Sequence, residues 1–268
     1  MRAVGIILAG GNNNRMKELT HKRAVAAMPI AGSYRSIDFA LSNMTNSHIQ
    51  KVAVLTQYNA RSLNEHLNSS KWWNFGRKQG GLYVFTPTIT NDNGYWYRGT
   101  ADAIYQNMDF LKKSHEPYVV IASGDAVYKM DYSKVLQYHI DKKADVTVVC
   151  KEMDPSDDVS RFGTIRMDDD MRITEFEEKP MVTKSNMIST GIYVIRRRLL
   201  IDLIEHAAEE ERFDFVNDVL IRYKNLKKIY GYKIDHYWSN IATVDAYYKT
   251  NMDFLKPEVR NYFFKQDP

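Results

Sequence analysis

Three stretches of the sequence carry residue types able to do chemistry on phosphates. The first runs from Gly5 to Arg35, GIILAGGNNNRMKELTHKRAVAAMPIAGSYR. An apolar run ends at Gly10-Gly11, crosses three asparagines to Arg15, and then carries Lys17, Lys22 and Arg23. Glycines let backbone N–H groups approach phosphate oxygens, and arginine adds a fixed fork of donors. An ordinary strand followed by a surface loop has the same outline. The second stretch is Ser123-Gly124-Asp125, directly after the apolar run YVVIA. A carboxylate there suits Mg²⁺ held against substrate phosphates, and equally suits a turn or helix cap. The third is Glu177-Glu178-Lys179-Pro180. A carboxylate beside a lysine can take sugar hydroxyls and a phosphate together, although a charge run before a proline turn is more often a solvated face.

These groups need a scaffold, and the apolar pattern supplies one. Short runs rich in Val and Ile recur at 3–9, 51–56, 81–85, 118–122, 144–150, 163–167, 173–176, 188–195 and 228–234. Such runs suit strands buried on both faces, hence a mostly parallel central sheet. Helical patterns fall at 38–46, 60–67, 102–113, 132–142, 198–208, 214–223 and 244–254. In 102–113, Ile104, Met108 and Leu111 share a face, with Thr100 placed to cap the N-terminus. In 132–142, Val135, Leu136, Tyr138 and His139 point to a core. The alternation predicts a doubly wound α/β fold. The run Met167-Asp168-Asp169-Asp170-Met171 reads as a hairpin turn, a small antiparallel insertion in the second half. In open α/β sheets ligands bind beyond the carboxyl ends of strands, where Gly10–Arg15, Asp125 and Glu178-Lys179 fall. From Lys256 onward the pattern breaks into mixed charges and aromatics, which reads as a linker or a cut end.

Composition narrows the class. Charged residues make up 26% and the net charge is +4 with the basic residues scattered, which does not suggest a nucleic-acid partner. One cysteine, Cys150, excludes an internal disulfide framework and fits a reducing cytoplasm. No stretch is apolar for long enough to span a bilayer, and the short run after Met1-Arg2 leads into GGNNNR rather than a cleavage site, so it reads as a first strand. GGNNNR also lacks the G-x-G-x-x-G spacing of a dinucleotide-binding dehydrogenase.

Segments along nearly the whole chain resemble one family, the bacterial ADP-glucose pyrophosphorylases (glucose-1-phosphate adenylyltransferases). They are LAGG at 8–11, KELTHKRA at 17–24, YRSIDFALSN at 34–43, LTQY at 55–58, WYRGTADAIYQN at 96–107, SGDAVYKMDY at 123–132, FGTI at 162–165, EFEEKP at 175–180, STGIYV at 189–194 and YWSNIATVDAYYKTNMD at 237–253. The resemblance implies a Rossmann-like sugar-nucleotidyltransferase domain, of the GT-A-like type, over residues 1–255, with 256–268 leading toward a C-terminal β-helix domain. It implies ATP and glucose 1-phosphate as substrates, Mg²⁺ as cofactor, ADP-glucose and pyrophosphate as products, and a place in glycogen synthesis. By position, Gly10, Gly11 and Arg15 meet the triphosphate, and Gly99 and Thr100 line the base pocket. Asp125 holds the metal. Tyr97, Gly163, Glu178, Lys179 and Ser189 hold the sugar phosphate. Arg15, Asp125 and Lys179 are the residues expected to carry catalysis.

Departures from the family pattern cluster at the triphosphate. GGRGxRL becomes GGNNNRM, placing Asn12 for an arginine and Asn13 for a glycine. KRAKPAV becomes KRAVAAM, placing Val25 for a lysine. The segment Pro87-Thr88-Ile89-Thr90 replaces the family's proline-glutamine segment. YWxDVGT becomes YWSNIAT, placing Asn240 for the second metal-holding aspartate and Ala242 for a glycine. The pattern is similar to that of the regulatory-type second subunit that pairs with a catalytic paralogue in a hetero-oligomer. A fully active nucleotidyltransferase and a non-catalytic sensor of sugar phosphate or nucleotide are the alternatives.

Overall fold

The computed structural model describes residues 2–11, 14–68, 73, 75, 80–90 and 94–265. Its thirteen strands, in chain order, begin with β1 (Ala3–Ala9), β2 (Pro29–Ile30), β3 (Tyr34–Arg35), β4 (Lys51–Thr56), β5 (Gly81–Phe85) and β6 (Tyr118–Ser123). They continue with β7 (Ala126–Tyr128), β8 (Val146–Glu152), β9 (Gly163–Met167), β10 (Ile173–Glu178), β11 (Met187–Arg196), β12 (Ile229–Ile234) and β13 (Trp238–Asn240). The helices are α1 (Ser36–Asn46), α2 (Arg61–Leu67), α3 (Thr100–Gln106), α4 (Met108–Lys112), α5 (Tyr132–Asp141), α6 (Arg197–Glu209), α7 (Val244–Asp253) and α8 (Pro257–Phe264).

The main sheet runs β10-β9-β11-β6-β1-β4-β5, with β8 beside β11 and β12 beside β8. Strand β1 lies at its middle, parallel to β4 and β6, and β5 continues the parallel set. Strand β11 runs antiparallel to β6 and β8. The sequence of β1 explains its place. Ala3 and Ile7 face one buried layer while Val4 and Ile6 face the other. Both faces are therefore apolar, which suits a central strand covered on both sides. On one face α1 and α5 bring Ile37, Leu41, Val135 and Leu136 onto the sheet. On the other, α3, α4 and α6 bring Ile104, Leu111, Leu200 and Ile204. A third, smaller cluster joins Met16, Val25, Met28 and Phe39 to Phe254. Among the described residues no helix is long and apolar enough to cross a membrane.

The α/β architecture and the antiparallel hairpin at 167–171 are as expected; the Asp168 N–H donates to the Arg172 carbonyl at 3.0 Å to close that turn. Four local features differ. The helix expected over 102–113 is broken at Asn107, whose amide donates to the Ala103 carbonyl at 2.8 Å and to the Tyr97 hydroxyl at 2.9 Å. Thr100 does not cap that helix: its hydroxyl accepts from the Phe215 N–H at 2.9 Å, and the Phe213 carbonyl instead accepts from Ala101 N–H at 2.7 Å. The stretch at 214–223 contains a wider π turn over Val216–Ile221. Residues read as a linker include a helix, α8, whose Phe263 and Phe264 pack against Phe39, Tyr34 and Phe254. Pro257 at its first turn supplies a fixed φ without losing a needed N–H.

One buried group makes the fold acid-sensitive. His139 on α5 is 1% exposed, shares a 2.8 Å hydrogen bond between its Nδ1 and Thr147 Oγ1, and meets the Tyr118 ring edge-on. Burial, reinforced by the nearby Arg196 charge and opposed by Asp145, lowers its pKa from 6.5 to about 4. Between these values the unfolded chain takes up a proton that the folded chain refuses. The contribution to stability is therefore complete above pH 6.5 and is lost as pH falls toward 4, by roughly 3 kcal/mol in all. Urea titrations are expected to show wild-type stability dropping by about 2 kcal/mol more between pH 7 and pH 5 than that of His139→Gln.

Candidate active site

A cavity of about 820 Å³ opens where the carboxyl ends of β1, β4 and β6 meet the loops after them. That size suits a nucleotide-like ligand. Gly10 and Gly11, which leave β1, line it together with Arg15, Tyr97, Gly99, Thr100, Asp125, Lys179 and Asn240. The structure thus brings residues separated by more than two hundred positions to one wall. Asn12 and Asn13 lie outside the described residues. Gly163, Glu178 and Ser189 stand behind the lining. Gly163 pairs with Glu178 across β9 and β10, and Ser189 Oγ lies 3.2 Å from the hydroxyl of Tyr193, which does line the cavity. Lys22 is exposed and away from this lining.

Two glycines shape the wall. At Gly99 a Cβ would stand 2.4 Å from the Phe213 carbonyl oxygen, so only glycine admits this approach. Here the Arg98 guanidinium lies 3.8 Å over the Phe213 ring and is held by Asp102, which is 2% exposed. Gly99→Ala is expected to cost about 1–3 kcal/mol by overpacking and to displace this part of the cavity wall. Thermal denaturation of the variant beside wild type checks the cost. At Gly191 φ is +75°, a region that favours glycine. The register of β11 against β8 shifts between Ser189 and Tyr193, so the strand bends around the cavity there.

Close to Gly99 in the chain, the Tyr97 backbone is clasped by Gln57, which follows β4. Its Oε1 accepts from Tyr97 N–H at 2.6 Å, and its Nε2 donates to the Tyr97 carbonyl at 3.3 Å. Tyr58 stacks on Trp96 at 5.5 Å beside it. Lys179 sits at φ 46°, with Nζ 3.3 Å from Glu178 Oε1. Burial raises the Glu178 carboxyl above its ordinary pKa, the Lys179 ammonium opposes the shift, and Asp214 adds to it.

At the position expected to hold metal, the Asn240 side chain is engaged by protein donors. The Asn240–Ala126 register and the Ile241 N–H donating to the Asp125 carbonyl at 2.9 Å bind β13 and β7 side by side. Ser123 Oγ donates to the Asp125 carboxylate. Asn240 Oδ1 accepts from Arg161 Nη1 at 2.7 Å and from the Ala242 N–H at 3.0 Å. Its two lone pairs are therefore in use. Among the described residues no three His, Cys, Asp or Glu side chains gather at one point. Residues 125 and 240 do not fit a dication held between them, because one donor is a neutral amide already saturated by N–H groups. Sequence reasoning missed Arg161, Arg98 and Gln57. Arg161 is adjacent to the FGTI motif, which was a signal for the neighbourhood but not for its reach to Asn240.

The lining carries Arg15, Arg98, Arg161 and Lys179 with one carboxylate, Asp125; Arg98 is paired with Asp102 and Lys179 with Glu178 from outside the lining, and the balance still favours an anionic ligand. Residues 4–257 match the Nucleotidyl transferase family. The chain is 42% identical over 255 residues to a glucose-1-phosphate adenylyltransferase of Clostridium novyi, covering 94% of this chain and 66% of that protein. It is 40% identical to one from Thermosipho melanesiensis, covering 95% and 62%. With one from Bacillus thuringiensis it shares 42% identity, covering 96% and 69%. The chain thus spans about two thirds of the length of these relatives. With the matching family over almost the whole chain and the cavity at the strand ends, this chain belongs to the nucleotidyl transferase family.

Proposed function

We propose that this chain binds ATP and glucose 1-phosphate as a weakened subunit of a glucose-1-phosphate adenylyltransferase in glycogen synthesis, with residues 1–255 as its transferase domain. In the reaction, a sugar-phosphate oxygen attacks the α-phosphorus of ATP, the bond to the β-phosphate oxygen breaks, and pyrophosphate leaves. Catalysis of this kind rests on positioning and on neutralising phosphate charge. Gly10, Gly11 and Arg15 are assigned to the triphosphate, Gly99 and Thr100 to the base, and Tyr97, Glu178, Lys179, Gly163 and Ser189 to glucose 1-phosphate. Of these sugar-phosphate residues, Tyr97 and Lys179 line the cavity, while Gly163, Glu178 and Ser189 do not.

The observation that carries the weakened reading is Asn240. It stands where a carboxylate is expected, and its oxygen is taken up by Arg161 and Ala242. Val25 adds to it: an apolar side chain, 8% exposed, lines the cavity where the family pattern has a lysine. The assigned sugar-phosphate residues, by contrast, are all present. The pairing with a catalytic paralogue rests on the resemblance to the regulatory-type subunit.

Pyrophosphate release by the purified chain tests this. With Mg²⁺, ATP and glucose 1-phosphate, turnover is expected far below the roughly 1 s⁻¹ that marks the low end of ordinary enzymes. Adding a catalytic paralogue is expected to change the partner's rate. Ordinary turnover by the chain alone overturns the weakened assignment, and a partner whose rate is unmoved overturns the regulatory one.

A further inference from the structure

Arg161 lies in the loop between β8 and β9, yet it reaches across 79 residues of sequence to Asn240. Nη1 donates to the side-chain oxygen at 2.7 Å and Nη2 to the backbone carbonyl at 3.3 Å. The Phe162 ring lies 4.4 Å from the guanidinium carbon and holds it from one side. The amide orientation of Asn240 is determined by these contacts. Reversing it would aim its NH₂ at both the guanidinium and the Ala242 N–H, all of them donors.

The charge balance follows. A carboxylate at 240 would neutralise Arg161, whereas an amide leaves the positive charge uncompensated on that side. Burial works most strongly against the Arg161 charge and Arg15 adds to that, while Asp125 and, less, Asp158 favour it. A guanidinium stays protonated even when half-buried. Two of its five N–H groups serve Asn240, and the group lines the cavity. A half-buried guanidinium held in place at a cavity wall, with N–H groups not used by Asn240, is a site for phosphate oxygens.

We infer that Arg161 is the resident cation of this site and binds the polyphosphate of a nucleotide there, where a dication would otherwise sit between residues 125 and 240. Binding then does not depend on Mg²⁺. The inference deepens the nucleotide reading of the cavity and rests on it for the identity of the ligand, though not for its charge.

Calorimetry on the purified chain, with ATP and with inorganic tripolyphosphate, each in EDTA and in Mg²⁺, separates the two. Wild type is expected to bind both in EDTA, with affinities within about threefold of those in Mg²⁺. Arg161→Gln is expected to weaken both in EDTA by at least about tenfold, the loss of one charge-assisted contact. Arg161→Lys, which keeps charge but not the fork, is expected to fall between. Wild-type binding that disappears in EDTA and returns with Mg²⁺ overturns the assignment without recourse to any variant. Unchanged affinity in a folded Arg161→Gln, verified by circular dichroism, also overturns it. If tripolyphosphate behaves as expected but ATP binds no more tightly, Arg161 stands and the nucleotide reading falls. If neither ligand binds under either condition, both fall.

Discussion

Asn240→Asp, introduced alone, is expected to leave pyrophosphate release by the isolated chain within about tenfold of wild type, whereas Val25→Lys/Arg161→Ala/Asn240→Asp is expected to raise it by at least about a hundredfold in Mg²⁺. The contrast follows from the 2.7 Å contact between Arg161 and Asn240. A carboxylate placed at 240 meets the guanidinium first, and the resulting half-buried ion pair competes with any dication. Removing Arg161 frees the two carboxylates to act together on a hard cation. Lysine at 25 adds a cation to the cavity wall that Val25 now lines. Its stem can lie along the apolar surface now covered by Val25, beside Met16 and Met28, with the ammonium in the cavity. Each donor that acts on developing charge is worth roughly 2.7–4 kcal/mol, or about 10²–10³ in rate. Such gains need not add, so a hundredfold is the floor for the triple variant. Steady-state pyrophosphate release, with circular dichroism to verify folding, is the measurement. A hundredfold rise from Asn240→Asp alone shows that Arg161 does not compete with metal. An inert but folded triple variant places the defect elsewhere, with Asn12 the next position to restore.

Lys179→Gln is expected to weaken glucose 1-phosphate by about 10- to 100-fold while changing ATP affinity much less. The estimate is that of one charge-assisted hydrogen bond, about 1.5–3 kcal/mol. The Lys179 ammonium lines the cavity, and its backbone N–H donates to the Phe162 carbonyl at 3.2 Å, so the residue is anchored at the hinge beyond β10. The same substitution removes the charge that opposes the upward shift of Glu178. The Glu178 carboxyl then takes up a proton at higher pH than in wild type. The sugar-phosphate affinity of the variant should accordingly decline at a higher pH as acid is added. Calorimetry with glucose 1-phosphate across pH, beside ATP as the reference ligand, reads both effects. An unchanged glucose 1-phosphate affinity removes Lys179 from the sugar-phosphate assignment.

Much of the scaffold was legible in the chain before folding. Strands at 3–9 and 51–56 have the same limits in the structure, because runs apolar on both faces can only be central or well-covered strands, and 81–85 keeps its limits as the half-buried edge strand beside β4. The ends of β1 and β6 then placed Gly10, Gly11, Arg15 and Asp125 at the cavity. Other features were hidden for definite reasons. Strands β7 and β13 have three residues each, too few for any periodicity to register. The break at Asn107 depends on its amide finding the Tyr97 hydroxyl, a tertiary contact. Thr100 has the right residue type for a cap, but the Phe213 carbonyl reaches the helix N-terminus first. Helix α8 has a mixed sequence and is secured by its aromatic side chains against Phe39 and Phe254.

By itself, the sequence determined the α/β class, the chain positions of the main buried strands, and that positions 240 and 25 carry an amide and an apolar side chain where the resembled family pattern has a carboxylate and a lysine. These are properties of residue type and short-range pattern, and they survive without knowledge of what lies nearby. Only the tertiary structure decided which side chain Asn240 meets. Arg161 and Asn240 are 79 positions apart, and they meet because β13 pairs with β7 and brings Asn240 beside Asp125, under the loop that carries Arg161. No local propensity encodes that meeting, since it arises from the pairing of two three-residue strands and from the packing that holds the loop above them.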